Sequence, residues 1–120
     1  MAGWLEGLQD MPHVLTAVLV SDDGMEIESV GGSQIDAPSL AAETASMVRS
    51  SSNAGKNLGG GKLFRWSFTT DNFEIISIRV GMHHSLTVAV QRGADARALQ
   101  VEMARMALRL VPQLEPPSST

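Results

Sequence analysis

A chain of 120 residues is long enough for one compact domain with a real core and too short for two. It is 43% hydrophobic and 18% charged, which is typical of a globular protein, and its net charge of −4 argues against broad electrostatic binding to nucleic acid or an anionic membrane. The absence of cysteine excludes a disulfide framework, a thiol nucleophile and a cysteine-based metal site.

The ends of the sequence carry no targeting signal that we recognise. The N-terminus has no basic leader followed by a long apolar core, and the longest apolar runs are far shorter than the roughly 20 residues that span a bilayer. We therefore expect a cytoplasmic protein without membrane insertion. The segment that starts at Pro112 is rich in proline and serine, and we expect it to end the last helix and to finish in a loose tail.

Hydrophobic periodicity and turn residues predict three helices and five strands in one chain without internal repeats. Asp22-Asp23-Gly24 joins the first two strands as a tight hairpin turn. Asp36 or Ala37 caps the second helix, which has Pro38 in its first turn and is rich in small residues. The predicted helices cover about 3–10, 37–57 and 95–110, and the predicted strands cover 14–20, 25–30, 63–70, 73–80 and 85–91.

The third strand is the most informative segment. Gly59-Gly60-Gly61 ends the second helix. From Leu63 to Thr69, successive side chains then alternate between the two faces of a strand. Three of the five aromatic residues lie on one face of this strand, and that face consists of Phe64, Trp66 and Phe68. A strand with aromatic side chains and little charge is suited to pairing with another chain. We interpret it as the place where two copies of the protein meet.

The distribution of apolar residues also orders the strands. Strands one, four and five are apolar on both faces, as interior strands are, whereas strands two and three alternate, as strands at the edges do. The hairpin places strand two beside strand one and the meander places strand four between three and five, so the order is 2-1-5-4-3 between layers of helix. Strand two carries Glu26 and Glu28, which we expect to discourage pairing at that edge, so self-pairing is expected at strand three.

This layout resembles that of the roadblock/dynein light chain family over residues 4–114. The residues that carry the resemblance are the hairpin from Val18 to Met25, Leu40-Ala41-Ala42 at the start of the second helix, the break at Gly59-Gly60-Gly61 and the strand from Leu86 to Val90. It implies an α/β (α+β) protein: a three-layer α/β/α sandwich, whose five-stranded sheet is antiparallel, with one long helix on one face and two terminal helices on the other. One roadblock-like domain then covers residues 1–114, and 115–120 form a flexible tail.

The resemblance also implies a homodimer, joined through strand three into a ten-stranded sheet with the two second helices side by side. Members in bacteria and archaea regulate or scaffold small Ras-like GTPases, and eukaryotic members belong to dynein motors and lysosomal scaffolds. We therefore expect a non-enzymatic protein without a cofactor that binds a Ras-like GTPase. The expected dimer interface consists of Leu63, Phe64, Arg65, Trp66, Ser67 and Phe68 with Met47 and Ser51 of the second helix.

The outer face of the second helix is the expected partner-binding surface, formed by Glu43, Ser46, Arg49, Ser50 and Asn53. Two such helices, brought together by dimerisation, would give a flat polar platform. A plain solvated helix face explains the same residues about equally well, because polar outer faces are the norm. Arg49 or Arg65 as an arginine finger has little support in the sequence.

Four other functions have weaker support in the sequence. Gly59-Gly60-Gly61-Lys62 fails as a phosphate loop because Lys56 stands where the pattern needs glycine, and Leu63 follows the lysine. His83 and His84 are adjacent and point to opposite faces of a strand, so a metal site is not expected. A small-ligand sensor, hinted at by Arg79 inside strand four, and a purely structural subunit of a larger motor or signalling complex remain alternatives.

Overall fold

The computed structural model describes residues 3–115, so most of the tail predicted at 115–120 lies outside the described residues. The helices are α1 (Glu6–Gln9), α2 (Ala37–Asn57) and α3 (Arg97–Leu114), and the strands are β1 (Val14–Ser21), β2 (Glu26–Gly31), β3 (Arg65–Thr69), β4 (Phe73–Val80) and β5 (His84–Gln91). Within this described range, every helix is too short or too polar to cross a membrane.

The five strands form one antiparallel sheet of order β2-β1-β5-β4-β3, as the sequence predicted. β5 is the central strand, β1 and β4 lie on either side of it, and β2 and β3 form the two edges. The order follows from burial, because the central strands must be covered on both faces while the edge strands need not be.

Each face of the sheet has its own apolar core. On one face, α1 and α3 cover the sheet, and Leu8 and Met103 are fully buried there beside Leu19 and Leu86. On the other face, α2 packs with its small residues against the sheet, so that Leu40 and other residues of its inner stripe are buried. The prediction of one long helix on one face and two terminal helices on the other is confirmed.

The start of α2 is fixed by Asp36. Its carboxylate accepts a hydrogen bond of 3.0 Å from the amide of Ser39, which satisfies one of the free amides at the helix N-terminus. Hydrogen bonds from Ser39 hold the pKa of Asp36 below its ordinary value. The helix exits through Gly59 and Gly61, whose φ angles are +72° and +81°, and side chains other than glycine are strained there.

The ends of the terminal helices differ from the prediction. α1 is a single turn at Glu6–Gln9 and is shorter than 3–10. α3 continues past Leu110 and includes Pro112, although proline was expected to end the helix. Proline lacks one amide, so only one backbone hydrogen bond of the last turns is lost, and the ladder resumes where the amide of Glu115 donates to Val111.

Glu28 has a different role from the one that the sequence indicated. It is 9% exposed, and its carboxylate accepts a hydrogen bond of 2.7 Å from the amide of Leu5. The expectation that the charge of Glu28 discourages pairing at the edge of β2 is therefore wrong. The carboxylate is buried and attaches the turn before α1 to the sheet. Glu26 is exposed and remains available at that edge.

Two side chains, Arg79 and Glu115, connect the turns at one end of the sheet. Arg79 of β4 forms a bidentate pair with Asp22 in the β1–β2 turn, at 2.7 and 3.0 Å, and also donates to the carbonyl of Met82. Glu115, just beyond α3, accepts hydrogen bonds from the amides of Met82 and His83 at 2.7 and 3.2 Å. The turns and the end of α3 are thus fastened to one another.

Candidate interaction site at the β3 edge

Among residues 3–115, only β4 pairs with β3, so one side of the β3 backbone is free for hydrogen bonding. The amide of Arg79 donates to the carbonyl of Phe64, and the amide of Thr70 donates to the carbonyl of Phe73, both at 2.9 Å. Backbone groups in a strand alternate between its two sides, so the even-numbered residues of β3 bond to β4. The N–H and C=O groups of Arg65, Ser67 and Thr69 therefore point away from the sheet.

The aromatic face of this strand is the α2 face of the sheet, but its three rings lie in different surroundings. Trp66 is 8% exposed and belongs to the core under α2, whereas Phe68 is 37% exposed and Phe64 is 78% exposed. Phe64 precedes the first residue of β3. Trp66 therefore anchors the strand to its own chain, and the two phenylalanines present apolar surface beside the open edge.

The partial exposure of this aromatic face follows from the position of α2. The helix packs mainly over β1, β2 and β5 and leaves much of the β3–β4 hairpin uncovered on that face. Phe73 of β4 is half-buried and packs against the same core under α2 as Trp66. We call Phe64, Phe68 and Phe73 the aromatic patch.

The predicted site residues of α2 lie on two parts of its surface. Glu43, Arg49, Ser50 and Asn53 are exposed, and Ser46 is half-buried. Met47 and Ser51 are half-buried, and Met47 packs against the same core as Trp66 and Leu63. Met47 and Leu63 thus pack against the core that contains Trp66, and the polar residues other than Ser46 are exposed.

The core beneath α2 contains a buried polar cluster that the sequence did not indicate. The hydroxyl of Thr87 on β5 lies 3.0 Å from that of Thr44 on α2 and 2.8 Å from that of Ser77 on β4. All three residues are at most 1% exposed. Single hydroxyl residues on three separate elements leave no local sequence signal, and only the sheet order brings them together.

An open groove of about 1120 Å³ lies at the start of β3. Its apolar lining includes Phe64, Ile78 and Leu108, and Leu108 is 76% exposed. Its charged lining residues in the described part of the chain are basic and consist of Lys56, Lys62, Arg65 and Arg79. The alternating pattern of β3 predicted that Phe64 belongs to the site. The residues that α3 contributes to the groove could be identified only from the fold.

The histidines are not arranged for metal binding. Within residues 3–115, no three His, Asp or Glu side chains converge in a way that could hold an ion. His84 Nδ1 lies 3.8 Å from the Glu115 carboxylate, at the end of the sheet described above. Arg79 is the residue that suggested a ligand pocket in the sequence. Its guanidinium donates hydrogen bonds to Asp22, to Ser85 and to the carbonyl of Met82.

An antiparallel 2-1-5-4-3 sheet with one long helix on one face, two terminal helices on the other and a free edge at the third strand is a roadblock-type α/β sandwich. The sequence profile of the Roadblock/LC7 domain matches residues 4–90. Because this match covers more than half of the chain, the protein belongs to the Roadblock/LC7 domain family.

Solved structures give the same result. The chain is similar to a Roadblock/LC7 domain from Streptomyces avermitilis, with 29% identity, a TM-score of 0.86 and coverage of 95% of this chain and 97% of that one. It shares its fold with Myxococcus xanthus MglB (22% identity, TM-score 0.77, 87% and 85% covered). It also shares it with the gliding protein MglB from Thermus thermophilus (15% identity, TM-score 0.81, 95% and 87% covered). No curated protein matches the chain.

Proposed function

We propose that this protein is a non-enzymatic homodimeric binding module that regulates or scaffolds a small Ras-like GTPase in the cytoplasm. The observation that carries the proposal is the free edge of β3, where Arg65, Ser67 and Thr69 direct their backbone groups outward. An unpaired edge of this kind is a template for another strand. The family resemblance supplies the GTPase as the partner class.

The aromatic patch supports self-association at this edge. Phe64 and Phe68 are among the exposed large apolar side chains, and they border the free backbone groups. Apolar surface that adjoins an unpaired strand gives a second strand both hydrogen bonds and burial. One solved structure of similar fold is described as MglB with a tetrameric arrangement, so association of several copies is known for a protein of this fold.

The exposed side of α2 supports partner binding. Glu43, Arg49, Ser50 and Asn53 form a polar surface on the helix that packs beside the half-covered β3–β4 hairpin. In a dimer joined at β3, the two α2 helices would lie on one face of a continuous sheet. Their polar surfaces would then form the platform that a GTPase contacts.

The experiment is a binding and hydrolysis assay with a small Ras-like GTPase encoded near this protein's gene. We expect binding that depends on the bound nucleotide, and Glu43→Lys in α2 should weaken it about tenfold or more by reversing a charge at the contact. Arg105→Glu on α3 reverses a charge on the opposite face and serves as the control. If Glu43→Lys and the control bind equally well, α2 is not the contact surface.

Hydrolysis rates separate regulation from scaffolding. If the protein accelerates GTP hydrolysis and Arg49→Ala abolishes the acceleration without loss of binding, Arg49 acts as an arginine finger. We expect Arg49→Ala to leave acceleration in place, because the platform acts by contact. Binding without any change in hydrolysis or nucleotide exchange identifies a scaffold.

A second candidate, a small-ligand sensor, is favoured by the groove at the start of β3. The groove joins an apolar floor to the side chains of Lys56, Lys62 and Arg65, which suits an anionic ligand with an apolar part. A thermal-shift screen against small acidic metabolites tests it, because a ligand that binds only the folded protein must raise the melting temperature. No shift at millimolar ligand would remove this candidate.

A further inference from the structure

We propose that the second copy pairs with β3 antiparallel and centred on Ser67, so that Ser67 faces Ser67 of the partner subunit. The inference rests on the homodimer proposed above and is independent of the GTPase. It fixes which residues face each other across the interface. Three features of the β3–β4 hairpin lead to it: the direction of its backbone groups, the position of its rings and the separation of its charges.

The backbone restricts the possible alignments. The free N–H and C=O groups belong to odd-numbered residues, Arg65, Ser67 and Thr69, because the even-numbered residues bond to β4. In an antiparallel pair, outward-directed residues face outward-directed residues. Odd-numbered residues of one copy must therefore face odd-numbered residues of the other.

This rule has a consequence for α2. Residues of equal parity lie on the same face of a strand, so like faces of the two sheets must be continuous. The α2 helices of both copies then lie on one face of the joined sheet, and the α1 and α3 helices lie on the other. The side-by-side arrangement of the α2 helices thus follows from the hydrogen-bond pattern of β3.

Centring on any residue of β3 satisfies the rule, and the three alignments nearest the middle of the strand differ in the hydrogen bonds they form. Centring on Ser67 pairs Arg65 with the partner's Thr69, Ser67 with the partner's Ser67 and Thr69 with the partner's Arg65. All three outward residues are then hydrogen-bonded. Centring on Trp66 or Phe68 pairs only two of them within β3 and sets the third opposite Leu63 or Asp71, which lie outside the strand.

The aromatic side chains favour the same alignment. Centring on Ser67 sets Trp66 opposite the partner's Phe68 in a non-hydrogen-bonded pair, in which Cα atoms are about 4.5 Å apart and side chains are close. Trp66 and Phe68 already stack within one chain, with ring centroids 5.9 Å apart. The two stacks would join across the dimer axis and cover the exposed part of Phe68.

The charges of the hairpin favour the antiparallel direction. The start of β3 is basic, with Lys62 and Arg65, and the far end of the hairpin is acidic, with Asp71 and Glu74. Antiparallel pairing places the basic end of one copy beside the acidic end of the other. Asp71, in the turn just after β3, then lies on the diagonal from the partner's Arg65, the direction in which cross-strand neighbours come within reach of a long side chain.

The test uses disulfide cross-linking, for which the chain is a clean background because it has no cysteine. Ser67→Cys should form covalent dimers on oxidation, since hydrogen-bonded pairs have a Cα separation of about 5.5 Å, within the range of a disulfide. A mixture of Arg65→Cys and Thr69→Cys proteins should form mixed dimers. All three positions are exposed, so these variants keep the fold.

The alternative alignments have their own products. Mixed dimers of Arg65→Cys with Ser67→Cys indicate centring on Trp66, and those of Ser67→Cys with Thr69→Cys indicate centring on Phe68. Either product in excess of the Ser67→Cys homodimer overturns the proposed alignment but leaves the homodimer in place. Ser33→Cys, outside the sheet on the β2 side, measures random collision.

A charge exchange gives a second, independent measurement. Arg65→Asp or Asp71→Arg alone should raise the dimer dissociation constant about tenfold or more in sedimentation, by setting like charges diagonally across the axis. The double variant should restore most of the affinity. Failure to restore it overturns the alignment, whereas a wild-type protein that is monomeric at all concentrations overturns the homodimer itself.

Discussion

Trp66 and Phe68 stack in one chain with their ring planes 9° apart, yet they differ in burial. Trp66 is held in the core under α2, and Phe68 is 37% exposed beside the free edge. The pair therefore links the fold to the candidate interface, since the buried ring fixes the position of the exposed one. A single aromatic face thus serves folding through Trp66 and association through Phe68 and Phe64.

Trp66→Ala should destabilise the folded chain strongly. Truncating a buried tryptophan removes its apolar contacts and leaves a cavity, and the free energy of unfolding should fall by about 3–5 kcal/mol. Phe64→Ala is the control, because Phe64 is 78% exposed. It should change the free energy of unfolding of the monomer by less than about 0.5 kcal/mol. Urea denaturation at several protein concentrations separates folding from association, and equal losses for both variants would contradict this assignment.

The buried hydroxyl cluster should behave as a unit. Thr87→Val keeps the shape of the side chain but removes the partner of Ser77 and a partner of Thr44, so the free energy of unfolding should fall by about 1–3 kcal/mol. Replacing all three residues, as Thr44→Val, Ser77→Ala and Thr87→Val, should cost less than the sum of the single changes, since no hydroxyl is then left unpaired. Urea denaturation of the three single variants and of the triple variant measures their free energies of unfolding. If the loss in the triple variant equals the sum of the single losses, the hydroxyls act independently.

The fold was predictable from the sequence because each element carries a local signal. The apolar runs of β1, β4 and β5, the Asp22-Asp23-Gly24 turn and the glycines after α2 fix the strands, and burial then fixes their order. The predictions that were wrong concern residues whose type is compatible with more than one structural role. Pro112 lies inside α3 because a single missing amide near a helix end costs little, and Glu28 is buried because an amide from a distant turn satisfies it.

The candidate site was predictable only in part. The alternation of β3 indicates the edge and its aromatic face, but it cannot show that Trp66 is already buried by its own chain. The direction of the backbone groups of Arg65, Ser67 and Thr69 depends on the register with β4, which the sequence does not encode locally. The groove and the hydroxyl cluster combine residues from several elements, so they follow from the fold alone.

Arg79 should act on stability and not on ligand selection. Its guanidinium donates to both oxygens of Asp22, to Ser85 and to the carbonyl of Met82. Lysine keeps the charge but cannot reach these partners as a planar fork, so Arg79→Lys should lower the free energy of unfolding by about 1–3 kcal/mol. Arg105→Lys is the matched control, because the Arg105 side chain is exposed where it pairs with Glu102, and it should change the free energy by less than about 0.5 kcal/mol. Equal effects of the two variants in urea denaturation would mean that the hydrogen bonds of Arg79 contribute little to the free energy of unfolding.

The attachment of the end of α3 should weaken in acid. Burial acts to raise the pKa of Glu115, but the amides of Met82 and His83 and the charges of His83 and His84 outweigh it, and the pKa lies below its ordinary value of 4.5. A carboxylate with a lowered pKa stabilises the folded state above its ordinary pKa, and the contribution is lost as the pH falls through the lowered value. The amide resonances of Met82 and His83 in NMR should therefore shift with a midpoint below pH 4.5, and Glu115→Gln should abolish the transition. A midpoint at or above 4.5, or a transition that survives in Glu115→Gln, would show that another group controls this contact.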